Sequence, residues 1–460
     1  MSANTGIITH SGVANEITQY YDSIIGISPS TGHNSISQYC FLARVDTWDN
    51  INTIQNEELT PPGIELSQKN IKNIYNNMFI MKRLYPSDFS PLVDRIDWVS
   101  GHIYDVYRDD IDILIRDTSG RMVNKFYVKN KFDQVFKCLG NNKGAAATVE
   151  PYFEPGVLSS TLVYIGADGY KWIYMYSIQA TLKQKFMTEE WMPTPFAKAT
   201  VNFKNTMDSG NIPVINVLNG GSNYYTSNTF VTVTGANTTQ TLAHAIISGG
   251  VITDILVTNI GANYTSAEIT ITSPTGIGAI ASANVSPVDG HGSDPFDEFG
   301  ANHMMITQTF AQDENLLLPT DINYRQVGFI VNPIAKSSYP IQCEKPIYSL
   351  STDVVVSNGF GTFVSDEIVF QGVDVDSATF IATCLSFSSG SNLIKMINTT
   401  GTLRIGQSLI GNQSKTTRVV LNVNDTDFIP YSGQITYIEN REGTQRSNDG
   451  SEQVRLIIGF

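Results

Sequence analysis

For most of its length the chain alternates apolar and polar residues over short stretches, the signature of half-buried strands. Two early stretches break that alternation. Ile17, Tyr20, Tyr21 and Ile24 recur at helical spacing and predict a short helix over 14–27. A second short helix is expected over 68–77, and residues 36–48 read as a strand between the two. Further strand candidates lie at 102–117, 124–139 and 160–178, with Asp168-Gly169 as a tight turn inside the last. The final thirty residues read as a β-hairpin, with strands at 434–439 and 453–460 around a charged loop at 440–450. An apolar terminus of this kind is expected to be tied down in a core or an interface.

The texture changes near residue 206, where charge nearly vanishes and a repeat appears. INVLNGGSNY at 215–224 returns as ILVTNIGANY at 255–264, forty residues on. The next strands also match, 229–233 against 267–271, and each is followed by an alanine-rich strand, at 242–245 and 279–282. One such unit cannot cover its own apolar face, whereas two together can. A second low-charge stretch holds another echo, GTFVSDEI at 361–368 against GTLRIGQSL at 401–409, with the Gly-Thr pairs again forty apart. The expected fold class is mainly β with a few short helices (a β-rich α+β chain). It is a discontinuous multi-domain framework carrying two inserted β-sandwich or barrel modules. The framework covers 1–205, 291–349 and 428–460, and the modules cover 206–290 and 350–427.

Composition agrees with this picture. Charged residues are only 16 %, against about 25 % in ordinary globular domains. The net charge of −14 disfavours sequence-independent nucleic-acid binding, which needs clustered cations on phosphates. Cys40, Cys138, Cys343 and Cys384 are far apart and form no CxxC pair, so they are expected to be reduced and packed in cores. The first residues show neither a basic nor an apolar segment, and no run reaches about 18 apolar residues, so neither a signal peptide nor a membrane span is read.

Candidate chemistry is sparse. GxSxG, HExxH and the Walker lysine motif do not occur, and GNNKGAAAT at 140–148 lacks the Gly-Lys-Ser/Thr order of a phosphate loop. Asp289, His291, Asp294, Asp297 and Glu298 supply hard ligands close in sequence. They equally make a capped helix start, with Asp294 as cap and Pro295 in the first turn. Asp109, Asp110 and Asp112 form a second acidic group. Asp110 and Asp112 either act as acid and base in a glycosidase or mark the solvent face of a strand whose Ile111, Ile113 and Ile115 point to the core. Tyr224, Tyr225 and Tyr264 either form a sugar platform or cover the glycine turns that precede them.

The framework segments taken in order are similar to a known series. QYYDSIIGIS and the strand ending in Trp48, MKRLYPSDFSPLVDRIDW at 81–98, VFKCLGNN followed by VEPYF, DGYKWIYMYSI at 168–178, YRQVGFIVNPI at 324–334, YIENRE and LIIGF stand in the order of the family's motifs. The framework thus resembles the baseplate wedge protein of contractile-tailed, T-even-like bacteriophages, the dimeric subunit of the wedge. The two modules depart from the compact family member. The resemblance implies a structural, non-enzymatic subunit without cofactors, located in the tail baseplate of the virion and assembled in the host cytoplasm. It implies a homodimer in contact with other baseplate wedge proteins, and no nucleic-acid, membrane or small-molecule partner. The candidate interface or core anchors are Arg95, Asp97, Trp98, Trp172, Tyr437, Glu439 and Arg441; Trp98 and Trp172 equally fit the subunit's own core. Two rival readings are a tail-associated glycan-binding adhesin using the repeat module, and a polysaccharide depolymerase using Asp110 and Asp112.

Overall fold

The computed structural model describes residues 10–25, 36–48, 57–154, 163–196, 209–311, 317–319, 322–446 and 450–460. The chain opens with α1 (His10–Ile25), β1 (Gln38–Ala43), α2 (Gln68–Asn77), β2 (Met78–Arg83) and β3 (Phe89–Asp94). There follow β4 (Tyr127–Lys129), β5 (Gln134–Asn141), β6 (Val163–Ile165), β7 (Tyr170–Ser177), α3 (Ala180–Phe186) and β8 (Trp191–Pro193). The first repeat region holds β9 (Ile215–Ser222), β10 (Phe230–Thr234), β11 (Leu242–Ser248), β12 (Val251–Asn259), β13 (Glu268–Thr272) and β14 (Ile277–Ala283). Next come α4 (Pro295–Glu298), β15 (His303–Phe310), β16 (Asn323–Val331) and β17 (Ile347–Ser349). The second holds β18 (Thr352–Val356), β19 (Ile368–Gln371), β20 (Phe380–Ser388), β21 (Leu393–Gly401), β22 (Ser408–Gly411) and β23 (Thr417–Asn424), and β24 (Gln434–Gln445) and β25 (Glu452–Gly459) finish the chain. The protein is therefore a β-rich, multi-sheet chain with a few short helices.

Contacts group into two compact units, one of 1–18, 90–305 and 457–460 and the other of 19–89 and 306–456. The second unit is built on a sheet of order β17-β2-β1-β16-β24. β1 is central and buried along all six residues, which is why its sequence QYCFLA runs without alternation. Phe41 lies opposite Met81 on one side and Gly328 on the other. Gly328 has to be glycine, because a Cβ there would run into the Phe41 ring and the Tyr437 carbonyl. α2 begins where Ser67 accepts a hydrogen bond from the Asn70 amide, and it packs Ile74 on the core of Tyr39, Phe41, Met81 and Ile330.

The first unit carries a sheet of order β4-β5-β7-β6 over a core that includes Tyr104, Phe136, Tyr170 and Trp172. Asp168-Gly169 joins β6 to β7 as the spacing predicts, with Gly169 at φ +81°. The Asp168 carboxylate also accepts the amides of Thr148 and Val149, both at 2.8 Å, so one residue closes the turn and holds a neighbouring loop.

The two repeat regions have one topology. In the first, Ile215 of β9 faces Ile255 of β12, and Thr232 of β10 faces Thr270 of β13. Each of these residues faces its own counterpart in the other repeat, so a pseudo-two-fold axis runs through both pairs. β9 is completed by β14, and β12 by β11. The first strand of each repeat is thus closed by the last strand of the other. The second region repeats the scheme: Val354 faces Ile394, Phe370 faces Ile410, β18 is completed by β23 and β21 by β20. Its strands form a closed barrel, β18-β21-β20-β19-β22-β23, and the first region is the same cycle left open between β13 and β14, a barrel-like six-stranded sheet of order β14-β9-β12-β11-β10-β13. Phe363, Phe380, Met396 and Val420 fill the second barrel.

Several expectations need correction. The last thirty residues are not a hairpin: β24 pairs with β16, whereas β25 belongs to the sheet that contains β15. The charged residues 440–445 continue β24 rather than forming a loop, because Asn440 pairs with Gln326 and, beyond a bulge, Thr444 pairs with Tyr324. Residues 102–117 hold no strand beyond a single bridge of Arg116 to Met122. There Ile113 is buried, but Ile111 and Ile115 are about half exposed, so the alternation does not sort into two faces. The strand expected over 36–48 stops at Ala43, where Arg44 turns to φ +55°. The helix expected over 14–27 begins earlier, at His10, and residues 26–27 lie outside the described residues.

The second barrel leaves the framework where it enters it, since the Thr426 hydroxyl donates to the Ser349 carbonyl at 2.9 Å. Excising 352–424 and joining Ser351 to Asp425 by a short Gly-Ser linker should leave one cooperative melting transition for the rest of the chain, followed by circular dichroism. A broad, non-cooperative melt would show that the barrel is integral to the framework.

Candidate functional site

The most unusual chemistry lies where the first barrel returns to the framework. Lys137, in the middle of β5, is fully buried in a strand whose sequence VFKCL places it between apolar neighbours. Its ammonium donates to Glu298 Oε2 at 2.8 Å and to His291 Nδ1 at 3.2 Å, and it sits 3.8 Å above the centre of the Tyr107 ring. Glu298 ends α4, a single turn started by Asp294, which accepts from the Asp297 amide, and by Pro295. Its other oxygen accepts the Gly292 amide at 2.6 Å. Tyr107 ties this node to the barrel: its hydroxyl donates to the Val285 carbonyl, and its own carbonyl accepts from the Asn284 amide nitrogen at 2.6 Å.

The electrostatics follow from burial. An ammonium can only donate, so His291 Nδ1 accepts and the ring proton is assigned to Nε2, which meets no partner among the described residues. Burial, and then the Lys137 charge, push the imidazole down to about 4, so it stays neutral. Burial lowers Lys137 as well, opposed by Glu298. Burial pushes Glu298 upward, but the Lys137 ammonium beside it holds the carboxyl below its ordinary value. The cluster read from sequence as a possible cation site thus becomes an ion pair, with the Lys137 ammonium where a cation would sit. Asp289 lies apart from it on the surface.

Arg95 and Asp97 form a second, half-exposed corner. Three Arg95 hydrogen bonds of 2.7 to 3.2 Å reach the Asp97 carboxylate, Lys129 Nζ approaches it at 3.2 Å, and Arg95 Nη1 donates to the Thr188 carbonyl. Burial raises the Asp97 carboxyl, and Arg95 and Lys129 more than reverse that. Trp98 packs half-buried on the core that contains Trp172, which is fully buried. Both tryptophans therefore belong to this unit's own packing.

Tyr437, Glu439 and Arg441 alternate along β24 and share one face. The Tyr437 hydroxyl donates to Glu439 Oε2 at 2.9 Å, and Arg441 Nη2 donates to the same oxygen at 3.2 Å. Burial and the Glu439 charge push the Tyr437 phenol up to about 12. Beside them the Arg441 carbonyl accepts from Trp48 Nε1 at 2.6 Å. Glu58 collects the amides of Trp48 and Gly443 and the Arg325 guanidinium, so charged residues seal this stretch of the outermost strand.

The remaining candidates separate. Asp110 is bound by Arg108 at 2.6 and 2.8 Å and held below its ordinary value by it. Asp112 accepts from the Leu114 amide and lies 3.3 Å from His10. A glycosidase acid needs a raised carboxyl, the opposite of the Asp110 shift. Tyr224 and Tyr264 are buried, and their hydroxyls accept the amides of Ala279 and Thr241, each on the last strand, or at its start, of the opposite repeat. They bolt the two repeats together, and only Tyr225 is left exposed. Sequence reading missed Lys137; the available signal was one lysine inside an otherwise apolar strand. No family model matches the chain, and no curated protein does.

Removing one partner of a buried pair leaves the other uncompensated, so Lys137→Met should cost about 3–5 kcal/mol in denaturant unfolding. The double variant Lys137→Met with Glu298→Gln should recover much of that loss; equal losses in both would mean the pair is not coupled. The pH dependence has a defined sign. Above pH 6.5 His291 is neutral in the folded and unfolded chain alike. Below 6.5 the unfolded chain takes up the proton, and the folded chain does not until about pH 4, so stability should fall across that window. His291→Gln should flatten that part of the profile, with His303, also lowered by burial, contributing equally to both proteins.

Proposed function

We propose that the protein is a structural subunit of a phage tail baseplate wedge, acting as a homodimer in contact with neighbouring wedge proteins in the virion. One observation carries the reading. Segments in or next to the resembling motifs, at 38–43, 78–83, 323–331 and 434–445, come from distant parts of the chain and share one sheet. That supports a common framework for these parts of the series rather than isolated chance likenesses, while VFKCLGNN and DGYKWIYMYSI pair with each other as β5 and β7 in a separate sheet. The long outermost strand β24, with Tyr437, Glu439 and Arg441 on one face, is the surface best suited to an assembly contact, since its charges select a partner and its aromatic ring adds contact area. The work of such a subunit is mechanical: to hold neighbours in register and yield when the tail contracts. Its chemistry is that of buried ion pairs and interlocked strands.

Co-expression with the other wedge proteins of the same phage should give a complex that survives gel filtration, and light scattering of the protein alone should give a dimer. Glu439→Arg with Arg441→Glu should weaken the complex without shifting the melting temperature. A strictly monomeric protein that ignores those partners would refute the reading.

A further inference from the structure

The two barrels share a strand order, yet only the second is sealed. There β19 pairs with β20 through Ile368–Gln371, and β22 with β23 through Ser408–Ile410. In the first barrel β10 meets β11 through Val231 opposite Ala243 alone, and β13 and β14 stand at the two ends of the order with no ladder between them. The pseudo-two-fold axis makes these two gaps equivalent, and each opens on a hollow, of about 850 Å³ beside β13 and β14 and about 570 Å³ beside β10 and β11. The larger one differs because the framework roofs it, through residues 108–110 and 141–143.

Side-chain size explains the opening. The last strand of each repeat is alanine-rich, where the second barrel places Phe380, Cys384 and Val420. Interiors otherwise pack to near-crystal density, so an open, small-residue hollow is an unfilled one. Its apolar wall is made by Val217, Ala267, Ile269, Ala281 and Ala283. Its rim is polar. Arg108 and Asp110 neutralise each other, as do Lys171 and Asp254 at 2.6 Å. That leaves the Lys143, Asp109 and Glu268 side chains exposed on the rim, with no side-chain hydrogen bond or ion pair among the described residues. Asn142 and Lys143 are held in the left-handed region, at φ +48° and +62°, by the Asn142 side chain donating to the Asp168 carbonyl and the Gly144 amide donating to Asn141 Oδ1.

The geometry points to a binding site for an uncharged oligosaccharide in this cleft. The volume is in the range of small-molecule clefts and far beyond that of a lone ion. Methyl groups on the wall suit the C–H face of a sugar ring, and the carboxylates, Ser266 and Lys143 on the rim suit its hydroxyls. One cation beside two anions gives a polyanion no attraction. An acyl chain would desolvate the charged rim at a cost. The proposal does not rest on the baseplate reading, which concerns the framework sheet.

The test is titration calorimetry of the full chain against neutral tri- to pentasaccharides of hexoses and N-acetylhexosamines. At least one should bind. Lys143→Ala with Glu268→Ala, both side chains exposed and unpartnered, should weaken it about tenfold or more with the melting temperature unchanged. Ala281→Phe, which fills the cleft, should abolish it. No binding by the native protein at millimolar sugar, or undiminished binding by the rim variant, would overturn the proposal.

Discussion

A three-strand repeat of about forty residues cannot satisfy its own edges, and this constraint shapes both repeat regions. Neither the first nor the last strand of a repeat finds a complete set of partners within that repeat, so each region exchanges strands across a pseudo-two-fold axis. The exchange makes the pair of repeats the smallest folding unit. It also explains why polar locks sit between repeats. Tyr224 reaches the last strand of the second repeat, and Tyr264 the start of the last strand of the first. In the other barrel the buried Glu367 carboxylate accepts from the amides of Val364, Gln413 and Ser414 and from the Ser414 hydroxyl. One side chain thereby fixes loops that belong to different repeats.

The framework follows a different logic. Its sheets are assembled from strands far apart in sequence, so closing them carries a large loop-entropy cost that local contacts do not repay. Central strands such as β1, buried on both faces, repay it by burial, at roughly 1.5–3 kcal/mol for each large apolar side chain. Buried charges add specificity more than stability. Lys137 and Glu298 must meet for α4 to dock on β5, which fixes the path by which the chain leaves the first barrel.

Much of this was legible in the sequence, for identifiable reasons. Forty-residue periodicity exposed both repeat regions, because repeat-equivalent glycines and asparagines recur where the backbone requires positive φ, at Gly221 and Gly261 and at Asn223 and Asn263. The Asp168-Gly169 turn is a local signal and was readable as such, whereas the Ser67 cap of α2 went unread. The pairing of β24 and β25 was not, since alternation marks a strand without naming its neighbour, and adjacent strands in sequence invite the hairpin reading. Residues 102–117 misled for a related reason. Their isoleucines alternate with acids, but Arg108 with Asp110 and the Asp112 carboxylate with the Leu114 amide satisfy the segment locally and leave no need for a ladder. The candidate site was half visible: His291 and Glu298 are close in sequence, whereas Lys137 lies more than 150 residues away.

The two barrels are attached in unlike ways, and that difference bears on what each can do. The second enters and leaves the framework at adjoining residues, linked through Ser349 and Thr426. It also rests on α2 through β21, so its attachment is not confined to those two ends. The first is bound along a front. Lys171 pairs with Asp254, Asn216 donates to the Leu139 carbonyl, and Tyr107 clasps Asn284 and Val285. Leu139 and Lys137 lie on β5 and Lys171 on the adjacent β7, and Lys171 lines the cleft that the framework roofs. A ligand or neighbour that shifted this barrel would therefore strain β5 and the buried lysine node directly. Coupling requires such a contiguous set of packed and charged contacts, and the chain provides it for the first barrel through residues that the sequence scatters from 107 to 298.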